Sequence, residues 1–199
     1  MSAAFERMSP SITSMIRMDH THALAGFHRF KPDLSPQRKH ALVRHVCLAL
    51  EIHAQLEEEI FYPALREFLS GDETLEKSEP EHDEMRQLIE TLRSEDPQDP
   101  SFDQNFMKLM RTVIHHVADE ETILLPAAER MLQERLSQLG AQMTKRRMQL
   151  LRPHAGEVAS TAVQTFPGGA AALAVGAVAL GAMLFARSRN NGSPRTWNR

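Results

Sequence analysis

One short pattern occurs twice in the 199-residue chain, and it constrains the fold more than any other feature. The first copy, HAQLEEEIFYPA, begins at His53, and the second, HVADEETILLPA, begins 63 residues later at His116. Both fit H-x-x-x-E-E-x-I-x-x-P-A. In an α-helix, residues four apart lie about 40° apart around the axis, so the histidine and the first glutamate of each copy share a face. Two such helices facing each other can hold two metal ions between them.

The residues around each copy predict that this face is buried. Apolar residues recur at alternating steps of three and four on both sides of the His–Glu pair, which is the spacing of a seam in a helical bundle. A lone ionised carboxylate in such a seam is costly unless it is paired or bound to a cation. The two seams are Val43, Val46, Leu50, His53, Glu57, Ile60 and Ala64, and Phe102, Phe106, Leu109, Val113, His116, Glu120, Ile123 and Ala127.

Two further segments each carry one histidine on an otherwise apolar stripe. With short connections between long helices, they predict an all-α fold, an up-down-up-down four-helix bundle. The stripes are Ile12, Ile16, His20, Ala23 and Phe27, and His82, Met85, Ile89 and Leu92. The predicted metal ligands are the six inward polar residues His20, His53, Glu57, His82, His116 and Glu120.

Capping and breaking residues predict where the helices begin and end. Helix one is expected over about 11–30, and Ser35 with Pro36 begins helix two, which runs to about Leu69. A capping box at 78–81 begins the main body of helix three. Helix four is expected to continue to about residue 139 and to end at Gly140. The proline in each repeat is expected to kink its helix or to weaken one hydrogen bond.

This constellation resembles the hemerythrin-like family, in particular its HHE cation-binding branch, over about residues 10–140. The resemblance implies a non-haem di-iron site bridged by the two carboxylates. Iron is therefore favoured over manganese and zinc, which the ligand types alone also suit. The matching residues are Asp19-His20, His53 with Glu57, Glu81-His82-Asp83-Glu84, and His116 with Glu120.

The chain departs from the oxygen carriers of that family at two positions. Arg86 stands where they have a further histidine, four residues after the histidine of the third helix. Glu120 follows the fourth-helix histidine by four residues, where they have an aspartate one residue later. Both departures argue against simple reversible oxygen carriage.

The favoured function is therefore a di-iron protein that binds or senses a small gaseous or peroxide ligand: oxygen, nitric oxide or peroxide. One alternative is a di-iron oxidase or peroxidase-type enzyme, which is less favoured because no sequence feature marks an organic substrate pocket or an electron-transfer partner. The other is an iron-buffering protein without redox turnover. Peroxide turnover would indicate the enzyme, a reversible spectral change would indicate the sensor, and iron exchange alone would indicate the buffer.

The residues beside the predicted ligands are less favoured as ligands. Glu58 and Glu121 lie about 140° from their histidines, so both are expected at the surface or just outside the ligands, with a role as accessory ligands as the alternative. Phe61 and Tyr62 are expected to pack around the site rather than to take part in chemistry. Surface or flanking positions are expected for the histidines outside the seams, His22, His28, His40, His45 and His115.

The composition changes after the bundle. No charged residue occurs from Val158 to Ala186, and 19 residues at 168–186 would span about 28 Å as a helix, close to the thickness of a bilayer core. We predict a bundle at 1–140, a basic and polar linker at 141–167, a transmembrane anchor helix at 168–186 and a polar basic tail at 187–199. The alternative for 168–186 is an alanine-rich soluble or surface-lying helix. Gly176 and Gly181 offer a close-packing face for a homo-oligomer.

Composition also limits partners and compartment. The net charge of −3 gives no broad basic surface, so no nucleic-acid partner is expected. The single cysteine, Cys47, excludes an intramolecular disulfide and fits a reducing compartment. No secretory signal is visible at the N-terminus. We expect a membrane-associated protein whose bundle faces the cytoplasm.

Overall fold

The computed structural model describes residues 9–156 of the chain. Within this range the chain is helical, and two π-helical segments, Glu57–Phe61 and Glu120–Leu124, interrupt otherwise α-helical rods. A short 3₁₀ turn, Arg152–His154, follows the last helix. In chain order the α-helices are α1 (Ile12–Arg29), α2 (Pro36–Leu56), α3 (Tyr62–Arg66), α4 (Glu73–Ser94), α5 (Pro100–Asp119), α6 (Leu125–Met131) and α7 (Leu136–Leu151).

Four rods form the bundle: α1, α2 continued by α3, α4, and α5 continued by α6. The rods α1 and α2 are antiparallel, because Gly26 approaches Val46 while the earlier His20 lies beside the later His53. Contacts between α4 and α5 follow the same reversed order, through the pairs Asn105–Glu95 and His116–Glu81. The predicted all-α, up-down-up-down bundle is confirmed for the described residues.

A phenylalanine-rich apolar core lies on one side of the polar cluster, and further buried apolar residues, among them Phe61, Leu65 and Leu124, lie on the other side. The aromatic ring of Phe106 packs against two others, with centroid distances of 5.7 Å to Phe27 and 4.6 Å to Phe30. Branched aliphatic residues from α2, α4 and α5 surround them. This core lies between the first half of α2 and the first half of α5, so it holds the rods in register ahead of the two repeats.

Helix α4 begins earlier than predicted. Gly71 adopts a positive φ of 81° after α3, and the Asp72 side chain then accepts a hydrogen bond from the Leu75 N–H at 3.1 Å. The predicted capping box at 78–81 is therefore wrong, because a cap is already made at Asp72. Ser78 lies inside the helix and its hydroxyl donates to the Thr74 carbonyl. At the start of α2, Ser35 occupies the predicted cap position, but its side chain makes no capping bond.

Each repeat proline is accommodated by the π-helical segment that precedes it. Proline has no N–H to donate to the carbonyl four residues back, and a wider turn relieves that loss. The Tyr62 N–H donates to the Glu57 carbonyl, five residues earlier, and the Leu125 N–H donates to the Glu120 carbonyl in the same way. The backbone thus widens at the carboxylates of both repeats.

The wider turns change which residues point inward. Phe61 and Leu124 are fully buried, whereas Ile123 is 42% exposed and Ile60 is half-buried. The prediction that Ile60 and Ile123 continue the seams is wrong. Hydrogen bonds in the π-helical segments join residues five apart instead of four, so the inward position moves by one residue.

Gly140 does not end the fourth rod. The chain turns after α6, at residues 132–135, and Gly140 lies inside α7. A Cβ atom at Gly140 would meet the Pro10 carbonyl oxygen at 2.0 Å, so this glycine lets α7 pack directly against the start of α1. The predicted boundary between residues 140 and 141 falls inside this helix, and Ala141 and Met143 are buried.

No helix within residues 9–156 is long and apolar enough to cross a bilayer. The predicted anchor at 168–186, the tail at 187–199 and the later part of the linker lie outside the described residues. Membrane attachment and self-association through that segment therefore stay predictions from the sequence.

Candidate metal centre

The structure brings all six predicted ligands together in the middle of the bundle. Each of the four rods contributes one histidine, and the two π-helical segments contribute the glutamates at their first positions. Every residue in the cluster is at most 7% exposed, as expected for groups that face one another across a bundle core. The cluster consists of His20, His53, Glu57, His82, His116 and Glu120.

The ligand atoms divide into two sets that share a carboxylate. Within each set, the ring nitrogens and carboxylate oxygens lie within 4.8 Å of one another. Glu57 belongs to both sets, and Glu120 Oε2 lies 3.1 Å from His20 Nε2 and 3.6 Å from His116 Nε2. The sets are His20, His53, Glu57 and Glu120, and Glu57, His82 and His116. Two cation positions bridged by carboxylates are therefore available.

The Nε2 atoms of the histidines point toward the centre. His53 Nε2 lies 3.2 Å and His82 Nε2 lies 3.5 Å from Glu57 Oε2. His82 Nε2 and His116 Nε2 lie 3.1 Å apart, so two imidazole lone pairs converge on one small volume. A divalent cation between such nitrogens replaces their mutual repulsion with two coordinate bonds.

The Nδ1 atoms point outward, and each faces a second carboxylate. Three of these contacts are hydrogen bonds: His20 to Glu121 at 2.8 Å, His82 to Glu58 at 2.9 Å, and His116 to Glu81 at 2.8 Å. His53 Nδ1 lies 3.5 Å from Asp19 Oδ2. A carboxylate on Nδ1 fixes the tautomer that leaves the Nε2 lone pair free for a metal. We call these four residues, Asp19, Glu58, Glu81 and Glu121, the outer carboxylates.

Sequence reasoning placed Glu58 and Glu121 near the surface or just outside the ligands, and the structure gives each a ring nitrogen on another rod. It gave no role to Asp19 and Glu81. The sequence does place each of them directly before an inward histidine, Asp19 before His20 and Glu81 before His82, and this position could have indicated a role at the site. Each serves the histidine of the neighbouring rod, which spacing within one helix does not reveal.

Three outer carboxylates are held in turn by arginines. Arg86 Nη2 lies 2.6 Å from both oxygens of Glu58, and Arg17 Nε lies 3.1 Å from Glu121 Oε2. Arg147 of α7 forms an ion pair with Asp19. Arg86 thus occupies the position of the further histidine found in oxygen carriers, and it clamps a carboxylate that holds His82.

Tyr62 is a residue of the site that sequence reasoning assigned to packing alone. Its side chain is fully buried, and its hydroxyl donates to Glu120 Oε1 at 2.9 Å and lies 3.3 Å from Glu57 Oε2. Burial raises the pKa of this phenol well above its usual range. The second repeat has Leu125 at the equivalent position, so the hydroxyl makes the two halves of the site chemically different.

Burial and charge separate the protonation states of the cluster. Burial, followed by the charge of Glu120, raises the pKa of the Glu57 carboxyl well above its usual range. Burial also disfavours charge on Glu120, but the neighbouring imidazoles hold its pKa well below the usual range. Burial alone would lower the pKa of His20, and hydrogen bonding to Glu120 raises it to about 9. Burial lowers the pKa of His53 to about 4.

The arrangement fits a bound cation by a direct test. Glu57 Oε1, a buried carboxylate oxygen of the cluster, has no hydrogen-bond partner among the described residues. An unpaired buried carboxylate oxygen is costly, and a metal ion would satisfy it. Nitrogen and oxygen donors without thiolate suit iron, manganese or zinc.

A small cavity of about 30 Å³ lies beside the cluster. Its polar wall includes His20, His53 and His116, while apolar side chains from the four rods, among them Leu50 and Val113, form most of the rest. A cavity of this size exceeds the roughly 10–15 Å³ that one water needs. It has room for a molecule of two or three atoms beside the ligand residues.

The remaining histidines lie away from the centre. His22 Nε2 and His45 Nε2 lie 2.9 Å apart on the outer side of α1 and α2. His115 is exposed, with Glu81 Oε1 at 3.8 Å. Cys47 is buried, and burial raises its pKa to about 12, as expected for a packed thiol without redox chemistry.

Comparisons with known proteins agree with this geometry. Residues 11–128 match the family described as the Hemerythrin HHE cation binding domain. A DNA nickase of Nostoc sp. (strain PCC 7120 / SAG 25.82 / UTEX 2576) is 30% identical over 122 residues, which cover 61% of this chain and 34% of the nickase. The chain thus spans about a third of that protein's length.

A solved structure shares the fold. It is the crystal structure of a Hemerythrin HHE cation binding domain-containing protein from Mycobacterium kansasii, with a TM-score of 0.60 and 20% identity. The match covers 81% of this chain and 97% of that chain. At this level of identity the likeness concerns the fold alone.

Proposed function

We propose a function that proceeds from the family to which this chain belongs, the Hemerythrin HHE cation-binding family. The chain holds two iron ions and binds or senses a small oxidant: oxygen, nitric oxide or peroxide. The observation that carries the proposal is the pair of buried ligand sets that share Glu57. The choice of iron rests on the resemblance to hemerythrins, because the donor atoms alone also suit manganese and zinc.

The residues that would hold the metals are the six of the cluster. His20 and His53 would serve one ion, His82 and His116 the other, and Glu57 with Glu120 would bridge them. When bound, the iron pair supplies reversible changes of oxidation state and open positions for a small ligand. The adjacent cavity supports this function, since its size suits a small molecule and its wall includes three of the histidines.

The surrounding residues orient the ligands and control protons. The outer carboxylates keep each Nδ1 protonated, so that Nε2 is free to bind metal. Tyr62 holds its proton 2.9 Å from Glu120 Oε1, within reach of the cluster. Apolar walls on the side of Leu50 and Val113 exclude bulk water.

The buried Tyr62 hydroxyl favours one alternative, a di-iron peroxidase or oxidase. A buried phenol beside two carboxylates can hold and donate a proton, a role that an enzyme of this kind would use and that a pure sensor does not require. Iron buffering without redox turnover is the third hypothesis.

One experiment separates these functions. Protein purified with iron and without oxygen is exposed in turn to air, nitric oxide and peroxide, while its absorption spectrum and the remaining oxidant are followed. The sensor predicts a spectral change that reverses when the gas is removed or a reductant is added, without continuing consumption. Catalytic loss of peroxide would indicate the enzyme, and iron exchange without a spectral response would indicate the buffer.

A further inference from the structure

Helix α7 lies outside residues 11–128, which match the family, yet it packs against the bundle. Its inner face is buried at Leu139, Ala141 and Met143. Gly140 allows the close approach of its backbone to Pro10, at the start of α1. The Thr144 hydroxyl also lies 3.3 Å from the sulfur of Met15 on α1. The helix is therefore docked along α1, the rod that carries His20.

One side chain of this helix reaches toward the metal cluster. Arg147 forms an ion pair with Asp19, and both side chains are mostly buried, with 23% and 22% exposed. Asp19 Oδ2, the oxygen that pairs with Arg147, also lies 3.5 Å from His53 Nδ1. On the other side of the same ring, His53 Nε2 lies 3.2 Å from Glu57 Oε2. A continuous path of contacts thus joins α7 to the shared carboxylate.

The equivalent arginines elsewhere belong to the bundle itself. Glu58 is clamped by Arg86 of α4, and Glu121 is paired with Arg17 of α1. Asp19 differs from them because its arginine comes from a helix outside the four rods. The position of the Asp19 carboxylate beside His53 therefore depends on how α7 is docked.

We propose that α7 is a positioning element of the metal centre, in which Arg147 fixes Asp19 and Asp19 fixes the ring of His53. The inference rests on the proposed metal binding. When α7 is docked, the ion pair holds the Asp19 carboxylate toward His53 Nδ1. When that pair is lost, Asp19 is free to rotate toward solvent, and His53 loses the partner that orients Nε2. The metal beside His53 is then held less tightly.

The expected effect is a change in metal retention. Removing the hydrogen-bond partner of a ligating histidine typically lowers metal affinity about 10–100-fold. Asp19→Asn removes the carboxylate charge that lies 3.5 Å from His53 Nδ1 and should release one metal about ten-fold faster to a chelator. Arg147→Gln acts one contact further out and should give an effect of at most about ten-fold, the lower limit of that range.

Arg146 provides a matched control in the same helix. It forms an exposed ion pair with Glu59, with Nε 2.6 Å from Oε2, and no contact connects this pair to a ring nitrogen. Arg146→Gln removes the same charge and the same number of atoms one residue away. Arg147→Lys keeps the charge and should restore part of the retention.

The experiment measures iron release to a chelator from the iron-loaded full chain, for the wild type and the variants R147Q, R147K, R146Q, D19N and R147Q/D19N. Absorption spectra and unfolding of the metal-free proteins are recorded beside it. We expect faster release of one of two irons in R147Q and D19N, with R146Q unchanged. The double variant should resemble D19N alone, because both changes act on one path.

Equal release from R147Q and R146Q would overturn the inference, as would a D19N protein that retains iron like the wild type. If R147Q undocked α7 and did not fold, R147K would decide the question, because it keeps the positive charge on α7; iron release from R147K as slow as from R146Q would overturn the inference. A wild-type protein that binds no iron would refute the proposed function instead.

Discussion

At the scale of single residues, the centre consists of four histidines that use both ring nitrogens. Each Nε2 points inward, and each Nδ1 faces an outer carboxylate. The arrangement is reciprocal between the halves of the chain. Glu58 and Glu121, which follow the two central glutamates, each contact Nδ1 of a histidine on another rod. Asp19 and Glu81, which precede His20 and His82, each face Nδ1 of the histidine on the next rod. The repeat thus duplicates the support of the ligands as well as the ligands themselves.

The two central carboxylates are expected to respond differently to removal. Glu57→Leu and Glu120→Leu should each abolish the two-metal site, because a bridging carboxylate serves both ions. In the metal-free protein, however, Glu57→Leu should be neutral or stabilising, since burial raises the pKa of the Glu57 carboxyl and Oε1 is unpaired. Glu120→Leu should cost about 2–4 kcal/mol, because it leaves the charged His20 without its closest buried partner.

Elemental analysis and urea unfolding of both variants test this difference. Full occupancy by two metals in either variant would show that the carboxylate is not a bridge. Equal stability of the two metal-free variants would contradict the assigned protonation states.

The stability of the metal-free protein should depend on pH in a defined window. The pKa of His20 is raised to about 9, so its charged form stabilises the fold fully below about 6.5, and this contribution of up to about 3 kcal/mol is lost as the pH rises through 9. The pKa of His53 is lowered to about 4, so stability also falls as the pH drops below about 6.5 toward 4. We expect a maximum near neutral pH.

Urea unfolding of the metal-free protein between pH 5 and pH 10 measures both slopes. His20→Gln should flatten the decline between about pH 6.5 and 9. The same decline in wild type and variant would assign it to another group.

At the scale of helices, the two π-helical segments set the geometry of the centre. They begin at Glu57 and Glu120 and end at the buried residues Phe61 and Leu124. Without the wider turn, the residue that follows Phe61 would point elsewhere, and the Tyr62 hydroxyl would not reach Glu120. Prolines in the repeat are therefore part of the site, because they select the wider turn.

The sequence predicted the rods and the six inward residues because those depend on periodicity within one helix. Ile60 and Ile123 were placed wrongly because hydrophobicity alone does not distinguish a π turn from an α turn. Asp19 and Glu81 were left without a role because each acts on the neighbouring rod, and that pairing depends on how two helices are rotated against each other. The prediction that Gly140 ends a helix is wrong because a glycine is needed there for another reason. The Pro10 backbone passes close to it, and those two residues are 130 positions apart in the sequence.

The close approach at Gly140 gives a prediction for α7. Gly140→Ala should raise intrinsic helix propensity by up to about 1 kcal/mol. It should nevertheless destabilise the protein by about 2 kcal/mol or more, because the new Cβ would meet the Pro10 carbonyl oxygen at 2.0 Å. Gly156→Ala is the control, since nothing lies within 4 Å of a Cβ there. Thermal unfolding of the two variants decides, and a more stable Gly140→Ala protein would refute the packing of α7 on α1.

At the scale of the whole molecule, the apolar core and the polar cluster occupy different lengths of one bundle. Buried apolar residues on both sides of the cluster hold the rods together, and this packing offsets the cost of the buried charge between them. Helix α7 adds a fifth element on the outside of α1. Residues after 156 lie outside the described range, and the anchor helix there is a prediction from the sequence.

The predicted anchor gives a test at this scale. Because residues 158–186 carry no charge, we expect the full chain to sediment with membranes and to resist alkaline carbonate extraction. A chain ending at Thr165 should leave the membrane fraction with its metals bound, since α7 and all six ligands precede that point. Release by carbonate would indicate a surface-lying helix, and full-length protein found wholly in the soluble fraction would reject both membrane hypotheses.

The most direct test of the account is the iron stoichiometry of the full chain after anaerobic reconstitution and removal of loose metal. Wild-type protein should retain about two irons per chain, and Glu57→Leu should lose the bridged pair while remaining helical by circular dichroism. Since all six ligands lie in one buried cluster, partial loading of the wild type is not expected. Fewer than one iron per folded wild-type chain, or a Glu57→Leu protein that still holds two, would contradict the carboxylate-bridged centre.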